Sequence, residues 1–227
     1  MITGRQMKTC LLLPAYNESC AIENVIQQAN LFVGDIIVVD DGSRDETAEI
    51  ATASGAVVLK HDQNRGKGMA LRTGFDYAIR GGYGIIFTMD SDGQHDPMDL
   101  PRFLDYFQRA DSDILIGGRF EGRSAMPLHR RLNNRLVSVV GSALCRQHVS
   151  DFQSGYRLIK AEVLKAVSLE TERYETEAEL LIKASRLGFR IASLPIRAVY
   201  GNEISDVKSF REMWLFTKLL IASLRNR

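Results

Sequence analysis

Cysteine is scarce in this chain of 227 residues: Cys10, Cys20 and Cys145, an odd number with no metal-ligand spacing. That argues against a disulfide scaffold or a cysteine-built metal cluster and fits reduced thiols in the cytoplasm. An excess of charge of one sign is also missing. Lys and Arg number 29 against 28 Asp and Glu, a formal net charge of +1, so nucleic acid is not an expected partner. No run approaches the roughly 20 apolar residues of a membrane-spanning helix. The most apolar late stretch, residues 213–224, is interrupted by Lys218. Residues 1–8 lack the apolar core of a signal peptide and read as an N-terminal extension. Internal repeats and low-complexity linkers are absent too. What remains is ordinary: 45% hydrophobic and 25% charged residues describe a globular protein, and the length suits one sizeable domain.

Within that domain, apolar runs alternate with helix-period segments. Residues 9–13, 36–39, 56–59, 85–89 and 114–116 read as buried strands, the first stopped by Pro14. Between them lie helical patterns: Ile22, Val25, Ile26 and Ala29, then residues 45–53, 69–79 and 100–107. Strands without polar alternation, separated by helices, predict an α/β domain with a mostly parallel central sheet flanked by helices. The second half is less regular. Helices are expected over residues 129–145 and 175–186, a strand near 156–159, and an extended stretch over 191–200 broken by Pro195. A last amphipathic helix is expected within residues 206–227, with Phe210, Trp214, Thr217, Ile221 and Leu224 along one stripe. Such a stripe suits packing on the domain or lying in a membrane interface.

Ligands of open parallel sheets bind beyond the carboxyl ends of the strands. Three polar clusters fall there: Pro14-Ala15-Tyr16-Asn17-Glu18, Asp40-Asp41-Gly42-Ser43, and Asp90-Ser91-Asp92-Gly93-Gln94-His95. Asp90 and Asp92 offer hard oxygen ligands to Mg²⁺ or Mn²⁺, and a metal there would neutralise charge on a departing diphosphate. Taken alone, the pair also suits a solvated turn. Asp40 and Asp41 can accept hydrogen bonds from a base or ribose, or simply open a helix. Asn64-Arg65-Gly66-Lys67-Gly68 sets cations and glycines before a helix, a pattern for approaching phosphates or for an exposed basic turn. It is not a Walker loop, because spacing and the trailing hydroxyl are wrong.

With Gly118-Arg119-Phe120 and Ser154-Gly155-Tyr156-Arg157, these motifs stand in an order that resembles the family-two glycosyltransferases. The branch most similar is that of dolichyl-phosphate mannose synthase and the polyprenyl-phosphate glycosyltransferases. The likeness runs from about residue 9 to 208. It implies a GT-A fold over residues 9–205, with a nucleotide-binding half (9–118) and an acceptor half (119–205). It further implies inversion at the anomeric carbon, a nucleoside diphosphate sugar as donor, and Mg²⁺ or Mn²⁺ as cofactor. Pro14, Ala15, Tyr16, Glu18, Asp40, Asp41, Lys67, Asp90 and Asp92 would then bind the donor. Asp90, Asp92 and Gln94 would surround the metal. Ser91 stands where alanine is usual, a change expected to matter little.

The acceptor separates two chemistries. A lipid phosphate is already ionised near neutral pH and needs cations rather than a base. Arg119, Arg130, Arg131 and Arg135 are candidates, although they also suit a solvated helix face. The resemblance maps acceptor binding best onto Arg119 and Arg131, with Arg135 and Ser138 beside them. A sugar hydroxyl would instead need a general base, for which Asp151 is the best candidate. With a phosphate acceptor, Asp151 would orient groups instead. Asp92, Asp151 and Arg119 are thus the expected catalytic set. Glu175 and Glu177 fit either the cleft or a charged first helical turn. The expected partners are the nucleotide sugar, a polyprenyl phosphate or glycan acceptor, and a membrane surface or membrane protein, with the chain peripheral on the cytoplasmic side. One departure concerns residues 200–208, where the arginine and Ser-Lys pair frequent in mannose synthases are missing or split and Glu203 stands nearby. That weakens mannose and GDP as the donor expectation.

Overall fold

The computed structural model describes residues 7–119 and 128–196, except for the side chains of residues 128–133. Phe120, the side chains of Arg130 and Arg131, and the expected C-terminal helix lie outside the described residues.

Among the described residues, seven strands form one sheet in the order β3-β2-β1-β4-β6-β5-β7. They are β1 (Thr9–Ala15), β2 (Ile36–Asp40), β3 (Val57–Lys60), β4 (Ile85–Thr88), β5 (Ile114–Gly118), β6 (Arg157–Lys160) and β7 (Ile191–Pro195). All run in one direction except β6, which is antiparallel to both β4 and β5. The mostly parallel sheet is as expected, while the reversal of β6 has no signature in its four residues.

The pleat sends alternate strand residues to opposite faces. Cys10, Leu12, Ile37, Val39, Ile86, Ile114, Ile116 and Ile159 share one core with α3 (Lys67–Arg80), α6 (Ala161–Ala166) and α7 (Glu175–Arg186). Leu11, Leu13, Ile36, Val38, Phe87, Leu115 and Leu158 share the other with α1 (Ile22–Ala29) and α4 (Leu100–Arg109). Ala51 of α2 (Thr47–Ala53) joins that second core. A strand buried on both faces reads as an unbroken apolar run, which is why β1, β2 and β4 stand out in the sequence. The predicted stripe of α1 is borne out: Ile22, Val25, Ile26 and Ala29 are all buried. The remaining helix, α5 (Leu128–Cys145), lies against α7, with Gly141 close to the Phe152 ring.

Pro14 does not end β1, contrary to the sequence reading. The strand continues to Ala15, and Pro14 is in register with Val39. Alternate residues of a parallel strand bond to alternate neighbours, and Leu12 and Ala15 show which way each faces. The Leu12 carbonyl accepts from Met89 on the β4 side, and the Ala15 carbonyl accepts from Asp41 on the β2 side. Pro14 therefore turns its missing N–H toward β4, where the ladder has already ended at Thr88. Its carbonyl accepts instead from the Ser91 hydroxyl at 2.8 Å.

Candidate active site

The order β2-β1-β4 makes the gap beyond β1 and β4 a topological switch point, where open sheets leave a crevice. The loop after β1 and the loop after β2 form one wall. Asn17 N donates to Ser43 Oγ at 2.9 Å, Arg44 N to Asn17 Oδ1 at 2.9 Å, and Glu18 N to Thr47 Oγ1 at 2.8 Å. Asn17 holds the left-handed backbone at φ 57° that this exchange requires. Tyr16 is 40% exposed at the rim, while Pro14 and Ala15 lie buried within β1.

Asp40 and Asp41 are both buried. Asp40 Oδ1 accepts from Ser43 N at 3.0 Å, and Lys60 Nζ lies 3.8 Å from its other oxygen. Asp41 is spent on the next loop. Its Oδ1 meets His61 Nδ1 at 2.7 Å and accepts from Arg65 N at 2.9 Å, and its Oδ2 accepts from Gly66 N at 2.7 Å. His61 also reaches Thr73 Oγ1 at 2.9 Å through Nε2. The 61–66 loop is thereby fixed and delivers Lys67 to the first turn of α3.

Lys67 Nζ lies 2.5 Å from Asp90 Oδ1 and 3.2 Å from Glu177 Oε2. Asp90 Oδ2 lies 3.3 Å from His95 Nε2, and the buried His95 ring sits 5.3 Å from that of Tyr156. Tyr156 in turn stacks on Phe103 at 4.5 Å. Burial alone would raise the Asp90 carboxyl, but Lys67 and His95 hold it well below the usual carboxylate range. Burial would likewise lower Lys67, yet Asp90 and Glu177 raise it. Asp92 shifts the other way, raised by burial and then by the charge of Asp90. Its Oδ1 accepts from Gln94 N at 2.9 Å, so Gln94 contributes its backbone to the turn. The Ser91 hydroxyl, bonded to the Pro14 carbonyl, links this loop to β1, a contact that alanine could not make.

Among the described residues no cluster of three or more His, Cys, Asp and Glu is placed to hold a metal ion. The donor set at Asp90 and Asp92 nevertheless suits Mg²⁺ or Mn²⁺, which commonly take one or two carboxylates and fill the other positions with substrate phosphates and water. Two observations favour it. Burial and the charge of Asp90 raise the Asp92 carboxyl, a disfavoured charge that a bound cation would relieve. The loop before β6 also approaches so closely that a Cβ on Gly155 would fall 2.5 Å from Asp90 Oδ1.

On the acceptor side, Arg119 and Asp151 form a two-pronged pair. Arg119 Nε donates to Oδ2 at 2.6 Å and Nη2 to Oδ1 at 3.1 Å, with Asp151 fully buried. Ser138 is buried in α5, its hydroxyl accepting from Phe152 N at 3.0 Å, and Arg135 is exposed on the same helix. Arg157 is the largest fully buried side chain among the described residues. It donates to the carbonyls of Ser154 (2.8 Å), Phe152 (3.2 Å) and Glu177 (2.7 Å), tying the 152–154 segment to α7. Composition and period give no hint of this arginine's burial, nor of His61's part. Of Glu175 and Glu177, which the sequence allowed either in the cleft or in a charged first helical turn, Glu177 reaches Lys67 from the first turn of α7.

The sequence model of glycosyl transferase family 2 matches residues 10–168. The chain belongs to that family. This family-two glycosyltransferase is 33% identical over 213 residues to the UDP-N-acetylglucosamine–dolichyl-phosphate N-acetylglucosaminyltransferase of Methanococcus voltae, covering 84% of this chain and 85% of that protein. It is 30% identical over 215 residues to the undecaprenyl-phosphate mannosyltransferase of Micrococcus luteus, covering 89% and 87%. Among solved structures, glucosyl-3-phosphoglycerate synthase from Mycobacterium tuberculosis in complex with Mn²⁺ and UDP-glucose superposes with a TM-score of 0.74 at 25% identity, covering 96% of this chain and 78% of that one. The family-two fold and its glycosyltransferase chemistry are thus those of the GT-A class anticipated from the motifs.

Proposed function

We propose that this enzyme transfers a hexose from a UDP-linked sugar to a polyprenyl phosphate at a membrane surface, with Mg²⁺ or Mn²⁺ bound at Asp90 and Asp92. The observation that carries the reading is the convergence at one sheet edge of Asp90, Asp92, Lys67 and the Arg119–Asp151 pair. The metal, when bound, supplies charge stabilisation to the departing diphosphate. Lys67 adds a second cation beside it, and the rim at Tyr16 and Glu18 receives the nucleoside. Pro14, Ala15, Asp40 and Asp41 shape that pocket from behind.

Acceptor chemistry follows from Asp151. Both of its oxygens already accept from Arg119, so it orients the guanidinium rather than taking a proton. A phosphate acceptor needs no base, because it is ionised near neutral pH. Arg119, with Arg131 and Arg135 from α5, is assigned to its charge. Support for a lipid acceptor comes from relatives whose names specify dolichyl and undecaprenyl phosphate. No helix among the described residues is long and apolar enough to cross a membrane, and a chain acting on this acceptor would work peripherally, on the cytoplasmic face.

The test is incubation with radiolabelled UDP-sugars, Mn²⁺ and a polyprenyl phosphate in detergent. Labelled glycolipid should form, and Asp92→Ala should cut its rate by about a hundredfold or more, the scale of lost charge stabilisation at a leaving group. Glycolipid formation unchanged in Asp92→Ala, or labelled sugar passing only to glycan hydroxyls, would overturn the proposal.

A further inference from the structure

Lys67 is shared between two carboxylates. Its Nζ lies 2.5 Å from Asp90 Oδ1, and 3.3 and 3.2 Å from Glu177 Oε1 and Oε2. The two partners differ in how firmly they are held. The Glu177 side chain is 9% exposed, and its backbone carbonyl accepts from the fully buried Arg157. Asp90 lies in a loop with its side chain 28% exposed, and its other oxygen has a longer contact, 3.3 Å, with His95 Nε2. A lysine carries three donors on a flexible four-carbon stem and can change partners at little steric cost. An ammonium and a divalent cation cannot both sit on the same Asp90 lone pairs, because like charges that close repel strongly.

Building on the assignment of Asp90 as a metal ligand, we propose that Lys67 is the resident counter-cation of Asp90, releases it when a divalent metal binds, and is then received by Glu177. Glu177 is on this account a positioning residue that acts only through Lys67. Metal binding without nucleotide must then break an ion pair, so it is weaker than the two carboxylates alone would make it. Charge at Asp90 also stays balanced while no metal is present.

The experiment is titration of the full chain with Mn²⁺ in the absence of nucleotide, read as free Mn²⁺ by electron paramagnetic resonance. Lys67→Met should bind Mn²⁺ about fivefold or more tightly than the parent, the scale of one ion pair removed. Glu177→Gln should weaken binding in the parent background, because Lys67 loses its second seat. The same change should have no effect in the Lys67→Met background, a coupling that simple loss of negative charge near the site does not produce. Equal weakening in both backgrounds, or no tightening in Lys67→Met, overturns the proposal. Absence of Mn²⁺ binding in every variant, with or without UDP, overturns the metal assignment beneath it as well.

Discussion

At the scale of single residues, Asp45 shows how a loop carboxylate is tuned. Its Oδ1 accepts from Thr47 N and Thr47 Oγ1, and its Oδ2 from Ser19 N. Burial pushes this carboxyl up, but the bonds from Thr47 and Ser19 outweigh it and hold it at about 2. An unfolded aspartate titrates near ~3.9. Asp45 therefore stabilises the fold above about pH 4, and the contribution is lost as pH falls toward about 2. Asp45→Asn should be less stable than the parent at about pH 6, with the gap closing between about pH 4 and pH 2, as measured by urea midpoints. A gap that persists unchanged at the acid end would refute the assignment. Asp45 was legible in the sequence as a residue opening a helix. Its reach to Ser19 was not, because contacts between two loops leave no period. Asp41 carries the same lesson: a carboxylate marked for the nucleotide turns out to organise residues 61–66, which no local pattern announces.

At the scale of elements, the start of α3 sets how close the first half of the chain comes to the segment before α7. A Cβ on Gly68 would run into Thr176 Oγ1 and stand 2.5 Å from the Glu172 carbonyl carbon and 2.6 Å from the Arg173 oxygen. Met69 N donates to Glu172 O in the same contact. The glycines of Asn64-Arg65-Gly66-Lys67-Gly68 thus answer at least partly to packing, a reading the phosphate-loop pattern did not suggest. Gly68→Ala decides between the two pressures. Helix propensity alone favours alanine by about 1 kcal/mol, whereas overpacking against backbone costs about 1–3 kcal/mol. Net destabilisation by urea unfolding is expected, along with loss of donor binding as Lys67 shifts. A stabilised variant would show that the contact yields. β1, β2, β4 and β5 were readable because burial on both faces leaves unbroken apolar runs, whereas β3, expected to be buried, ends the sheet order with Val57 exposed. β6 was located to within a residue but not oriented, since four residues cannot encode direction, and α6 is too short to show a helical stripe.

At the scale of the molecule, the crevice is assembled from segments spread between Pro14 and Glu177, so its ligand should brace the whole sheet. Three of the ordered motifs made this convergence readable, because they follow parallel strands and the carboxyl ends of parallel strands share an edge. What they left hidden was the ion pairing inside it, which depends on β6 and α7 coming from the distant half. A ligand that binds only the folded state adds about 2.7 kcal/mol at a hundredfold excess over its Kd. For a domain of this size each kcal/mol raises Tm by about 2–4 °C. UDP with Mn²⁺ should therefore raise Tm by about 5–10 °C at such an excess. The metal-dependent part of that rise should vanish in Asp92→Asn, because one carboxylate cannot hold the cation against Lys67. A larger rise with GDP than with UDP would reverse the donor assignment, and an equal rise without metal would remove the cation from nucleotide binding.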